Sequence, residues 1–332
     1  MARLRAGLLG SGGIGARHVG ALARLPDQYD FVAACGRDLR KAQAFTAAHG
    51  GAAYADLDRM LDEAALDVLI VATPPYARNG EVERAAARGV HLLVEKPIAL
   101  DLDTARRMVA GVEAAGVTAA VGFMYRHGEA IARWQTLVAE GATGPVGMFA
   151  GSYHCNALHA PWWRERDKSG GQTLEQVIHL IDLVRLFMGE PDTVYARTAN
   201  LFHGQTPGYD GEDVSAILFG WDDGRVANLN ASNIAIPGKW LKEWRLMAER
   251  YTGRFEDWNN AVLTRTAPDV ADEAVVGQAD PFVAQLADLA AAITERRPPR
   301  APLSEGEASL RLALAARRSA DERREIRLSD AV

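Results

Sequence analysis

Three groups of residues in this 332-residue chain have the types and spacing to do chemistry. The first is Glu95-Lys96-Pro97, which ends the apolar run "HLLV". A buried strand that closes on a carboxylate, an ammonium and a proline delivers two charged groups to its mouth and fixes the chain's direction behind them. The second is Glu175, His179 and Asp182 in "GQTLEQVIHLIDLVRLFMG". Glu175 and His179 are i,i+4 neighbours and Asp182 lies three further on, so all three share one narrow helical face. Apolar residues cover most of the remaining circumference, so this helix is largely buried. Carboxylate, imidazole and carboxylate on such a helix suit a cleft wall that moves protons. A buried histidine satisfied by a neighbouring acid is the other reading. The third group is Gly10-Ser11-Gly12-Gly13-Ile14-Gly15, a G-x-G-x-x-G turn. Gly10 permits the tight turn, Gly12 lets the backbone approach a pyrophosphate, and Gly15 lets helix and strand pack closely. Gly13 and Ile14 open the helix whose N-terminus then faces the phosphates.

The surrounding elements must hold these groups in place. Apolar strands and amphipathic helices alternate from the start: "RLRAGLLG", then the glycine turn and "IGARHVGALARL"; "FVAACG", then "LRKAQAFTAAH"; "DVLIVAT", then "RNGEVERAAARG"; "VHLLVEKP", then "LDTARRMVAGVEAAG"; and "TAAVGFM" as a sixth strand. Asp56 caps a short helix, "LDRMLDEA". Such alternation predicts a parallel sheet with helices on both faces, and ligands of such sheets bind at the carboxyl ends of the strands. Glu95 and Lys96 sit at one of those ends.

The end of the second strand shows which dinucleotide is favoured. An acidic residue there would hold the ribose 2′-hydroxyl of NAD and repel a 2′-phosphate. The strand ends Cys35-Gly36-Arg37, with glycine in the acid's place, and Arg40 and Lys41 add charge one turn later. A bidentate arginine suits a phosphate, so Arg37 favours NADP. Asp38 next door keeps NAD as the alternative.

After Met124 the grammar changes. Strand-like runs become longer and alternating, with few crossover helices, and "DVSAILFGW" and "RVANLNASN" flank "DDGR", a hairpin signal. This predicts an α+β domain on a large open mixed or antiparallel sheet, one face of which is free to pack on another subunit as a homodimer or homotetramer. The expected domains are 1–124 and 125–332, with the final amphipathic helix, "SLRLALAARRSADERR", packing back on the first. All seven tryptophans lie in the second half. Trp162-Trp163-Arg164 is the most informative, because it sits in a polar loop just before "DKSGGQ", and two indoles there need a ligand or partner to cover them. His154, Cys155 and His159 match no familiar zinc spacing, so no metal is expected.

Composition sets the remaining bounds. Apolar residues make up 48% and charged residues 24%, as in an ordinary globular protein. A formal net charge of −6 gives no drive toward nucleic acid or anionic membrane. Two cysteines suit a reducing compartment. No apolar stretch is long enough to span a membrane, and the first residues lack signal-peptide architecture, so a cytoplasmic location is expected.

Together, "GLLGSGGIGARH", "VATPPYAR", "VEKPIAL", "VGFMYRH", "WWRERDKSGGQ" and "EQVIHLIDLVRLFMGEP" resemble the glucose–fructose oxidoreductase / inositol dehydrogenase / rhizopine-catabolism (Gfo/Idh/MocA) family. The resemblance implies a Rossmann domain joined to an open-sheet domain, with substrate held between them. It implies that Glu95 and Lys96 border the nicotinamide and that the Lys96–Pro97 bond is cis. Thr73 and Pro74 would line the cofactor, and Trp163 and Arg164 would reach it from the second domain. Tyr125, Arg126, Trp162, Lys168 and Asp182 become expected substrate contacts. Where relatives often have Asp-x-Gly-x-His, this chain has Glu175-Gln-Val-Ile-His179.

The chemistry implied is hydride transfer between an alcohol carbon and nicotinamide, on a small-molecule pyranose sugar, polyol or cyclitol. His179 would move the hydroxyl proton, Glu175 would orient the imidazole or hold a neighbouring hydroxyl, and Lys96 would donate to the reacting oxygen. Two other readings share the dinucleotide site: a regulatory sensor, and a glycosidase that retains its cofactor.

Overall fold

The computed structural model describes residues 3–235, 237–267 and 270–330. Two compact units divide the chain: residues 1–124 with 280–307, and residues 125–279 with 308–332.

In the first unit, six strands pair in parallel: β1 (Leu4–Leu9), β2 (Tyr29–Cys35), β3 (Ala52–Tyr54), β4 (Val68–Val71), β5 (His91–Val94) and β6 (Ala119–Val121). Their order is β3-β2-β1-β4-β5-β6. Chain order reverses direction between β1 and β4, and in such sheets the crevice at that switch point takes the ligand. Residues of β4 and β5 are apolar almost throughout because helices cover both faces of the sheet, the pattern of a fully buried parallel strand. The crossovers are α1 (Gly13–Leu22), α2 (Leu39–His49), α3 (Leu57–Glu63), α4 (Glu81–Ala87) and α5 (Leu102–Ala115). Asp38, Asp56 and Asp101 cap α2, α3 and α5 by accepting from backbone N–H groups in the first turn.

Residues 280–307, expected in the second domain, lie with the first unit, and the final helix from residue 308 onward, expected to pack back on the first domain, lies with the second. Helix Pro281–Glu295 buries Leu286 and Leu289 in the same core as Ala6, Leu8, Val19 and Leu22, and the Tyr29 hydroxyl donates to the Leu286 carbonyl at 2.7 Å. Each such buried leucine contributes about 1.5–3 kcal/mol, enough to hold a distant segment against α1.

The second unit is built on a nine-stranded sheet. Its strands are β7 (Val146–Cys155), β8 (Thr193–Ala199), β9 (Val214–Gly220), β10 (Val226–Ser232), β11 (Trp240–Ala248), β12 (Tyr251–Phe255), β13 (Asn260–Arg265), β14 (Glu273–Val276) and β15 (Ile326–Arg327), in the order β14-β13-β12-β11-β7-β10-β9-β8-β15. Every neighbouring pair is antiparallel except β10 with β7. The hairpin expected around "DDGR" is β9–β10, registered Val226 on Gly220 through Ser232 on Val214. One sheet face carries α6 (Glu129–Ala139) and helix Ile178–Met188, whose Leu180, Ile181, Leu183 and Val184 are fully buried. Among the described residues, no helix is long and apolar enough to cross a membrane.

Candidate active site

The glycine turn of the first unit is set by two close approaches. Gly10 has φ +105°, and a Cβ there would lie 2.8 Å from the Ala72 carbonyl, so β1 and β4 meet at their mouths only because the position is glycine. A Cβ on Gly15 would collide with the Gly10 carbonyl. Gly12 and Gly13 face open space instead. The N-terminus of α1 has no side-chain cap and no acid in its first turn, which leaves backbone N–H groups for an anion. Ile14 stands 38% exposed beside it.

Next to this turn lies a cavity of about 430 Å³, lined by Gly10, Ser11, Gly36, Arg37, Asp38, Lys41, Thr73, Pro74, Glu81 and Arg84, among others. Arg37 and Lys41 are exposed, and among the described residues neither makes a salt bridge. One oxygen of Asp38 accepts from the amides of Arg40 (2.9 Å) and Lys41 (3.4 Å), so this acid is engaged in capping α2. An uncapped helix end above bare glycines, a cavity and two free cations fit the phosphates of a dinucleotide.

Glu95 and Lys96 take different directions at the mouth of β5. The Glu95 carboxylate turns inward: Oε1 is 2.7 Å from Nε2 of the fully buried His18, and Oε2 accepts from the Lys96 amide at 3.2 Å. Burial alone would push this carboxyl up. The His18 hydrogen bond and the Lys96 charge outweigh it and hold the group below the usual glutamate range. The Glu95 carboxylate therefore braces the strand end, and Lys96 beside it is half-buried. The Lys96–Pro97 bond is cis. Arg78, which the sequence reading passed over, holds this region from behind with three hydrogen bonds.

In the second unit, Glu175 lies in a π-helical turn, Thr173–Val177, and His179 in the first turn of the helix that follows. The single α-helix expected from spacing is thus widened just where the acid sits, a feature frequent at functional sites. Both side chains are buried, and the Glu175 charge acts on the Tyr153 hydroxyl. The His179 ring stacks on Tyr125 at 4.5 Å between centroids, and Trp258 stacks on Tyr125 at 4.6 Å. Burial pushes the Tyr125 and Tyr153 hydroxyls above the usual tyrosine range, so both stay neutral. Lys242 Nζ lies over four rings: 5.9 Å from Tyr125, 5.6 Å from Tyr153, 5.5 Å from Trp240 and 5.3 Å from Trp258. A sequence signal for Lys242 existed in Trp240-x-Lys242-x-Trp244, whose alternation places all three on one face of β11.

Other expected contacts have different engagements. Arg126 and Asp182 form a buried bidentate pair at 2.9 and 2.6 Å, because either charge alone would be costly there. The pair ties the 3-10 turn Met124–His127, and so Tyr125, to the His179 helix. Trp163 is covered by His159 at 4.0 Å and by Tyr209, so no ligand is needed to shield it, while Trp162 is half-buried. Arg164 donates to the carbonyls of Leu158 (2.9 Å) and His159 (3.2 Å), which fixes the loop. Lys168 pairs with Glu165 at 2.6 Å near the surface. The Cys155 thiol donates to Asn233 Oδ1 at 3.0 Å and is pushed up to about 11 by burial, so it is not a thiolate. Among the described residues, no His, Cys, Asp and Glu group is arranged to hold a metal.

Comparison with known proteins agrees with this arrangement. The Gfo/Idh/MocA oxidoreductase-family model, an NAD-binding Rossmann fold, matches residues 4–123, and the family's C-terminal domain model matches residues 131–253. D-xylose 1-dehydrogenase (NADP(+)) 2 of Haloferax volcanii is 30% identical over 196 residues, which make up 58% of this chain and 60% of that protein. The 2,7-anhydro-N-acetylneuraminate hydratase of Escherichia coli is 31% identical over 166 residues, 47% of this chain and 43% of that protein. The chain thus spans about half the length of these curated relatives. Levoglucosan dehydrogenase, solved with NADH and levoglucosan, matches with a TM-score of 0.91 at 19% identity, over 98% of this chain and 100% of that one, a likeness of fold. Glycine turn, strand mouth and both matched domains lead to one assignment: the chain belongs to the Gfo/Idh/MocA oxidoreductase family, and its first unit carries that family's NAD-binding Rossmann fold.

Proposed function

We propose that this protein interconverts a hydroxyl and a ketone on a pyranose sugar, polyol or cyclitol, with NADP as the favoured dinucleotide and NAD as the alternative. The observation that carries this reading is the wall shared by two features. Thr73 lines the cavity beside the bare glycine turn, and Arg78 joins Thr73 to the strand mouth that bears Lys96. Nicotinamide, when bound, supplies the hydride acceptor or donor. Lys96 donates a hydrogen bond to the reacting oxygen, and its ammonium stabilises the negative charge that develops there. His179 takes or returns the hydroxyl proton, and Glu175 holds the polar environment of that helix face. The exposed ring of Trp240 and the half-buried ring of Trp258, backed by Tyr125 and Tyr153, offer apolar faces to a sugar, with Trp240 48% exposed.

Support for NADP comes from Gly36, Arg37 and Lys41 together with the engaged Asp38. Exposed Tyr195, Leu218 and Val226 on neighbouring strands β8, β9 and β10 support assembly of identical subunits through the open sheet. The test follows nicotinamide absorbance with NADP and NAD separately across sugars, cyclitols and their keto forms. Turnover with at least one member, faster with NADP, is expected. Tight cofactor binding without turnover, or product formed without net absorbance change, would contradict the reading.

A further inference from the structure

Arg78 follows the short 3-10 turn Pro75–Ala77, and its side chain is 2% exposed. Its guanidinium makes three hydrogen bonds: Nη1 to Thr73 Oγ1 at 2.7 Å, Nη2 to the Glu95 carbonyl at 3.0 Å, and Nε to the Ile98 carbonyl at 3.0 Å. Glu81 lies 3.5 Å from Nη1 and supplies a counter-charge, while its other oxygen accepts from the Asn79 amide at 2.6 Å. The two carbonyls lie on either side of Lys96-Pro97, and Thr73 lies in the cavity wall. One planar fork therefore fastens both ends of the segment that presents Lys96 to the wall of the dinucleotide cavity. Only arginine has donors in this geometry, since an ammonium is a point charge on a flexible stem.

We infer that Arg78 is a positioning residue for Lys96: it sets where the ammonium stands by clamping the carbonyls of Glu95 and Ile98 to the Thr73 hydroxyl. The catalytic consequence rests on the role proposed for Lys96 above. The geometric claim does not.

The composition of the chain makes the test direct. Only five lysines are present, at positions 41, 96, 168, 239 and 242, so reductive methylation with 13C-formaldehyde gives five side-chain signals to follow by NMR. Lys96→Arg assigns the signal of interest. Arg78→Lys adds one signal of its own, absent from wild type, and is expected to move the chemical shift of Lys96 while leaving the other four native signals in place, which a general loss of structure would not do. Should Arg78→Lys fail to fold, Thr73→Val removes a single arm of the clamp and is expected to move the same signal by less. A Lys96 signal that superimposes on wild type in the folded variant would overturn the inference.

Turnover is then compared in two backgrounds, with NADP and the panel sugar that reacts fastest. Arg78→Lys is expected to lower kcat by about 10–100-fold, the scale of a small misplacement of a reacting group. The dissociation constant of NADPH, read by its fluorescence, is expected to stay within about threefold, since the phosphates are held elsewhere. In a Lys96→Ala background the same change is expected to have no further effect. An equal loss in both backgrounds would overturn the positioning role. A displaced Lys96 signal together with wild-type turnover of Lys96→Ala would uphold the clamp and overturn the role proposed for Lys96.

Discussion

His18 Nε2 lies 2.7 Å from Oε1 of Glu95, both side chains buried, which fastens α1 to the mouth of β5. The helix that opens at the glycine turn and the strand that ends in Lys96 are thereby locked in one geometry. In the function proposed above, the phosphate end and the reacting end of the dinucleotide would meet these two elements, so their relative position would matter more than either alone.

This contact has a pH signature. The Glu95 carboxyl is held below its ordinary range, so its contribution to stability is present above that range and is lost as pH falls through the lowered value. Glu95→Gln is expected to cost about 2 kcal/mol at pH 7, the scale of a charge-assisted buried hydrogen bond. The gap to wild type should narrow as pH drops below about 4. Urea unfolding of both proteins at the two pH values measures it, and a gap that is constant with pH would contradict the assignment.

Cofactor choice is expected to turn on Gly36. A Cβ there would lie 3.5 Å from Ser11 Oγ, an ordinary contact, so the strand end has room for a side chain. Gly36→Asp places a carboxylate where it accepts from a ribose hydroxyl and repels a 2′-phosphate. The ratio of kcat/KM for NADP over NAD should fall at least about tenfold, equivalent to about 1.4 kcal/mol. An unchanged ratio would show that Arg37 and Lys41 do not read the 2′-phosphate.

Arg126 and Asp182 give a third test. Asp182→Asn leaves the guanidinium charged and buried without its full partner, at a cost of about 3–5 kcal/mol. Replacing both with Met and Leu should recover most of that loss. Urea midpoints of the single and double variants measure the difference. A single-variant loss under about 1 kcal/mol, the range of exposed pairs, would mean that the two charges are solvated.

Much of the first unit was legible in the sequence because its rules are local. Glycines 10 and 15 have specific steric reasons, and a buried parallel strand is apolar along almost its whole length, as β4 and β5 are. Helix Pro281–Glu295 was harder. Periodicity reveals that it has an apolar face, and it says nothing of a core formed by residues some 260 positions earlier, such as Val19 and Leu22. Arg126 and Asp182 looked like ligands because a charge destined for an internal pair and one destined for a substrate are the same in sequence. Their pairing appears only when the 3-10 turn meets the helix. The π turn at Glu175 is also silent, since no residue type marks it. Arg78 sat in plain view in "PPYARNG", but its value lies in three acceptors on two different loops.

The proposed reaction turns on Lys96 at the mouth of β5. Turnover of the best panel substrate is measured for wild type and Lys96→Ala, with NADPH affinity followed alongside. Lys96→Ala is expected to lower kcat at least about 10²-fold with cofactor affinity largely kept. Near-normal turnover in Lys96→Ala would contradict it.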